Sequence, residues 1–156
     1  MVANVDAPAG TDRAPQLRRA SLAALVMLII QYGIGMAVNI YVKVPKADNG
    51  AGIGKAFSNG PAGLTVHILV GLLLVLSAIG LLVQSIIAHS TVMIVTAAVA
   101  LLAIVGAAFS GASFVNDGKA SGSMAMAIMT GVAMLCYVLN LYLLGSARSS
   151  KVNGRG

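Results

Sequence analysis

The sequence predicts an all-α fold: a polytopic integral membrane four-helix bundle, running up-down-up-down, with both tails in the cytoplasm. Hydrophobic residues make up 58% of the chain and charged residues 9%, where a soluble domain carries roughly a quarter charged. The charges also sit in islands, and residues 56–116 contain no Asp, Glu, Lys or Arg. Apolar runs of about 20 residues are long enough to cross a bilayer. This chain has enough of them for four crossings.

The first span is expected at 20–42, behind the pair Arg18 and Arg19. Its apolar core is longer than the roughly 7–15 residues of a signal-peptide core, and no small-residue cleavage site ends it, so it reads as a retained helix. The long uncharged run must fold back once. Spans at 63–88 and 92–115 result, joined by a tight turn at "HST", His89 to Thr91. The last span is expected at 121–145. Short connections favour antiparallel neighbours in a bundle.

Orientation follows the Lys and Arg near the span ends. The tails carry Arg13, Arg18, Arg19, Arg148, Lys151 and Arg155, against Lys43, Lys46, Lys55 and Lys119 on the other side. The tails are therefore assigned to the cytoplasm, and the protein to the bacterial cytoplasmic membrane. Segments 1–19 and 146–156 are polar and without periodicity, and are expected to be disordered. The outer loop, 43–62, is punctuated by Gly and Pro turn signals.

The inventory excludes several chemistries. The net charge of +6 comes from tails and loops and suits anionic headgroups; no basic helical face interleaved with aromatics points to nucleic acid. Glu is absent and no Asp falls within a predicted span, which argues against a carboxylate proton carrier. The lone Cys136 and two distant histidines make no zinc site, and no Ser, His and carboxylate meet at one depth. "GAGIGKA" at 50–56 lacks the GK[ST] of a P-loop. These absences argue against an enzyme.

In lipid, helices associate through small residues that allow close approach. Candidate packing seams are Gly33 and Ala37 on the first span, Ala103, Ala107 and Gly111 on the third, and Ala127 and Gly131 on the fourth. The same rows could instead leave room for a flat ligand. Tyr32, Tyr41, Tyr137 and Tyr142 lie mostly towards span ends, as interface anchors do. His89 is expected to be a turn residue in reach of water.

His67 is the residue that most needs an explanation, because an intramembrane ionisable group is a functional candidate by default. It falls about 6 Å into its span, at 1.5 Å rise per residue. Met124 and Met126 fall at nearly the same depth in the fourth span. His with Met is a known axial pair for haem iron, so His67 with Met124 or Met126 is a candidate site for haem b. The competing role for His67 is structural, donating to a carbonyl or a polar neighbour, with the methionines filling gaps in the core.

The stretch "QYGIGMAVNIYVKVP" (Gln31 to Pro45), a Gly-rich outer loop and a histidine early in the next helix resemble one four-helix half of haem A synthase-type membrane haem proteins. That resemblance implies a four-helix unit with haem held by histidines of its second and fourth helices. His67 matches the first of these positions, without the arginine that often follows it. The fourth helix has no histidine, and "SMAM" at Ser123 to Met126 stands in its place. Bis-histidine ligation is thereby out of reach, and the family's outer-face carboxylate chemistry has no Glu to perform it.

Three functions follow, in order of preference. The first is a non-catalytic accessory or assembly subunit of a larger membrane complex, with the lipid bilayer and other membrane subunits as its partners. The second is a b-type haem protein for electron transfer or redox sensing. The third is a small-solute transporter, which no charged residue or broken helix supports.

Overall fold

The computed structural model describes residues 13–41, 54, 61–117 and 120–153. Among them are four helices: α1 (Arg13–Tyr41), α2 (Ala62–Ile87), α3 (Thr91–Asp117) and α4 (Ala120–Asn153). Each is long and apolar enough to cross a membrane. The outer loop with Lys43, Lys46 and most of "GAGIGKA", together with Lys119, lies outside the described residues. So do residues 1–12 and 154–156.

Two boundaries correct the expected tails. α1 begins at Arg13 rather than 20, so 13–19 is helical. Pro15 falls in the first turn, where its missing N–H would have no intrahelical partner anyway. Leu17, 4% exposed, joins the core and gives this extension a packing reason. α4 likewise continues past 145 to Asn153. "SARSSKVN" contains neither Gly nor Pro, and the first glycine after it is Gly154.

The α2–α3 turn has the expected three residues but lies one residue earlier, at Ala88 to Ser90, because Thr91 is already helical. Ala88 N–H donates to Gln84 O and His89 N–H to Ile86 O, both at 3.0 Å. His89 adopts φ 52°, the left-handed conformation that often ends a helix. Ser90 O then accepts from Ile94 N–H at 2.9 Å and starts α3.

The helices form a ring in which α1 touches α2 and α4, and α3 touches the same two. Across α3 and α4, Gly122 packs on Ser110 and Phe114, Gly111 on Met126, and Gly106 on Met129. Farther along the same pair, the Thr96 hydroxyl donates to Asn140 Oδ1 at 2.5 Å. Across α1 and α2, Gly63 meets Val38, Gly35 meets His67, and Gly71 meets Gln31.

One core closes the end of the bundle nearest the His89 turn. Leu28, Leu74, Ala78, Ala103, Ala133 and Tyr137 are among its buried members. Tyr137, 1% exposed, is thus a core residue and not an interface anchor. A smaller cluster of Val38 and Leu64 lies at the opposite end. Outward faces are largely apolar, with Leu72, Leu102, Phe109 and Leu135 more than half exposed, a surface compatible with a lipid bilayer.

The seam residues divide. Ala103 and Ala107 are buried, and Gly111 and Ala127 half-buried. Gly33 and Ala37 are exposed, and a Cβ on Gly33 would meet nothing within 4 Å; the same is true at Gly131. The inward face of α1 is instead Ala24, Leu28, Gln31, Gly35 and Val38, all buried. At 100° per residue, Gly33 and Gly35 point nearly opposite ways, and only one of the two glycines can face the bundle.

Candidate functional site

Above the core, a cavity of about 340 Å³ separates the α1–α2 pair from the α3–α4 pair. Leu28, Leu74 and Ile104 form its floor and also belong to the core cluster. Its α3 and α4 walls include Ala107, Gly111, Met126 and Thr130, whose small or flexible side chains leave the space open. Among the described residues, no Asp, Glu, Lys or Arg lines it.

The polar part of the wall is built by a reciprocal exchange between α1 and α2. Gln31 and Gly35 are one turn apart on α1, as His67 and Gly71 are on α2. A Cβ on Gly35 would lie 2.9 Å from His67 Cε1, and a Cβ on Gly71 would lie 3.2 Å from Gln31 Nε2. Each polar side chain therefore rests over the glycine of the other helix. Any larger residue at Gly35 would have to displace the imidazole.

Hydrogen bonding then sets the roles of these atoms. Gln31 Nε2 donates to the backbone carbonyl of His67 at 2.7 Å. That bond fixes which end of the amide carries the protons. The same nitrogen lies 3.5 Å from His67 Nε2. Gln31 Oε1 and His67 Nδ1 are buried, and neither has a hydrogen-bond partner. Gln31 Oε1 is thus an unpaired acceptor, buried close to the His67 ring.

The hydroxyls of Ser85, Ser110 and Thr130 each donate to the carbonyl four residues earlier, at 2.8 Å. Among the described residues, no group of three His, Cys, Asp or Glu could hold a metal ion. His89 sits in the exposed turn, where its Nδ1 lies 2.9 Å from Ile87 O.

The candidate haem ligands are only partly brought together. His67 and Met126 line the same cavity, but Met124 is 66% exposed on the outer face of α4. His67 turns the Nδ1–Cε1–Nε2 edge of its ring towards Gly35 of α1, with both nitrogens within 3.7 Å of the Cβ position there. A metal–nitrogen bond of about 2 Å from either nitrogen would drive a macrocycle into the α1 backbone. These residues do not fit a haem. Sequence reasoning lacked the direction of these side chains around the helix axis.

Gln31, Gly35 and Gly71 were not singled out as site residues beforehand. The available signal was a polar residue with a glycine one turn later, present on both helices, at 31 and 35 and at 67 and 71. No protein-family model, curated protein or solved structure matches the chain. The likeness to haem A synthase-type units therefore rests on the quoted residues alone.

Proposed function

We propose that this chain is a small, non-catalytic protein of the bacterial cytoplasmic membrane, an accessory or assembly subunit that holds a membrane-soluble ligand between its two helical hairpins. In this reading the helices run up-down-up-down with both tails cytoplasmic. The contacts across α1–α2 and α3–α4 support alternating directions, since residue numbers rise on one helix as they fall on the other. The larger share of Lys and Arg in the tails supports their side.

One observation carries the reading: an apolar cavity, with no charged side chain among the described residues that line it, beside two buried polar atoms without partners, Gln31 Oε1 and His67 Nδ1. Unpaired polar atoms away from water are costly, and apolar pockets with a few placed polar groups are the usual form of small-molecule sites. Nothing in that wall supplies an acid–base pair or an activated nucleophile. Small-solute transport is the weaker reading, because Leu28, Leu74 and Ile104 close the inner end.

A partner role in a larger complex has its own support. Gly33 and Ala37 form a small-residue row on the outside of α1, and such rows permit another membrane helix to approach closely.

Native mass spectrometry of the protein extracted from its own membranes tests the ligand. A small-molecule adduct that disappears in Ala107→Leu, which fills the cavity, is expected; bare protein in both forms overturns the reading. Gly33→Leu should release the chain from a larger assembly in mild detergent, and a wild-type chain that migrates alone removes the partner role.

A further inference from the structure

Resting on the cavity reading above, we infer that the ligand is a membrane lipid, held by one acyl chain that runs lengthwise into the cavity. The lining extends from Leu28 to Asn39 on α1, from Leu64 to Val75 on α2 and from Ile104 to Val115 on α3. Each of these runs covers about 16 Å of helix at 1.5 Å rise per residue. A volume of about 340 Å³ over that length leaves a mean cross-section of about 20 Å². One extended hydrocarbon chain has that cross-section, and a fused ring system is broader. With C–C bonds of about 1.5 Å at about 111°, such a chain advances about 1.25 Å per carbon, so roughly a dozen carbons fill the path.

The chemistry of the walls suits a chain with no polar group along it. Among the described residues, no Asp, Glu, Lys or Arg lines the cavity, and a buried charge without a partner is strongly disfavoured. The Gln31 amide nitrogen donates to His67 O at 2.7 Å and the Thr130 hydroxyl to Met126 O at 2.8 Å. Asn39 and Ser123 line the end opposite the His89 turn, where Asn39 is exposed and Ser123 half-buried. The ester and polar head of the lipid belong at that end. The methyl end of the chain then rests towards Leu28, Leu74 and Ile104.

Access favours the same occupant. Tyr32, Met36 and Leu72 line the cavity and are also exposed on the outer faces of α1 and α2. The cavity therefore opens sideways onto the apolar surface of the bundle, where acyl chains are the surrounding medium. An unfilled apolar space forfeits the dispersion contacts of its lining, and a chain entering from the bilayer restores them.

The test places the full chain in nanodiscs containing a phosphatidylcholine with a photoactivatable diazirine at about the twelfth carbon of one chain. After irradiation, residue-resolved mass spectrometry should find cross-links near the floor, at Val75 and Ile104, as well as on outward residues such as Leu102 and Leu135. Ile104 is 6% exposed, so a cross-link there comes from inside the bundle. Moving the diazirine to about the fourth carbon should shift the inner cross-links towards Val38, Leu64 and Val115. Ala107→Leu should remove most inner cross-links and leave those at Leu102 and Leu135 as they were.

Cross-links confined to outward residues overturn the acyl-chain inference and leave the cavity reading to the native adduct. Inner cross-links that stay in place when the diazirine moves overturn lengthwise entry, and the inference with it. Should Ala107→Leu fail to fold, Ala127→Leu narrows the same cavity from α4. Inner cross-links that ignore the narrowing overturn the cavity reading itself.

Discussion

The imidazole of His67 lies against the backbone of Gly35, with Cε1 2.9 Å from the position a Cβ would take there. Gly35 is buried on the inward face of α1, and Gly33, two residues earlier, is exposed with nothing nearby. Gly35→Ala should therefore lower stability in detergent by about 1–3 kcal/mol, the usual cost of overpacking. Gly33→Ala should leave the melting temperature unchanged or raise it slightly, since Ala is the better helix former. Equal losses from both would contradict the assigned face of α1.

Gly122 makes the corresponding close approach on α4. A Cβ there would stand 3.0 Å from Ser110 O and 3.1 Å from Phe114, and both contacts are to groups that cannot swing away freely. Gly122→Ala is expected to destabilise the α3–α4 pair, and Gly131→Ala, in open space, is not. Thermal unfolding monitored by helical circular dichroism separates the two.

Thr96 and Asn140 join the same two helices near their other ends, through the hydrogen bond at 2.5 Å. Both side chains are buried. Interhelical hydrogen bonds in membranes average about 0.6 kcal/mol and reach about 1.7. A double-mutant cycle with Thr96→Val and Asn140→Leu should give a coupling energy in that range. Additivity of the two changes would mean that the bond contributes nothing measurable.

His89 holds the left-handed position of the α2–α3 turn with φ 52°. That conformation costs an L-residue roughly 1–2 kcal/mol, which glycine avoids. The contact of His89 Nδ1 with Ile87 O at 2.9 Å offsets part of the gain. His89→Gly should raise stability by up to about 1 kcal/mol, and His89→Val should lower it, because a β-branched residue is least tolerant of positive φ.

Haem offers a direct check on the orientation of His67. Protein expressed with haem supplied and purified in detergent should show a featureless visible spectrum, oxidised or dithionite-reduced. Met124→Ala should change nothing, as that side chain points away from the bundle. A Soret band lost in His67→Ala would require the imidazole to leave Gly35, and would restore the haem reading.

Local composition determined the number and apolar character of the four helices described here. In lipid every backbone group must be satisfied within its own segment, so hydropathy summed along the chain is enough to place a span. The same physics hides which side of a helix faces inward. Lipid and bundle interior are both apolar, and the outward faces of these helices are richer in Leu, Ile and Val than the inward ones, where Ala is frequent. The azimuth of His67, Met124 and Met126 could therefore not be read. Only the packed bundle decided that Gly35 faces in where Gly33 faces out, that Tyr137 belongs to the core, and that Met124 lies on the outer face of α4. Only packing, too, set Gln31 and His67 over each other's glycine, because that arrangement depends on two helices meeting in one register.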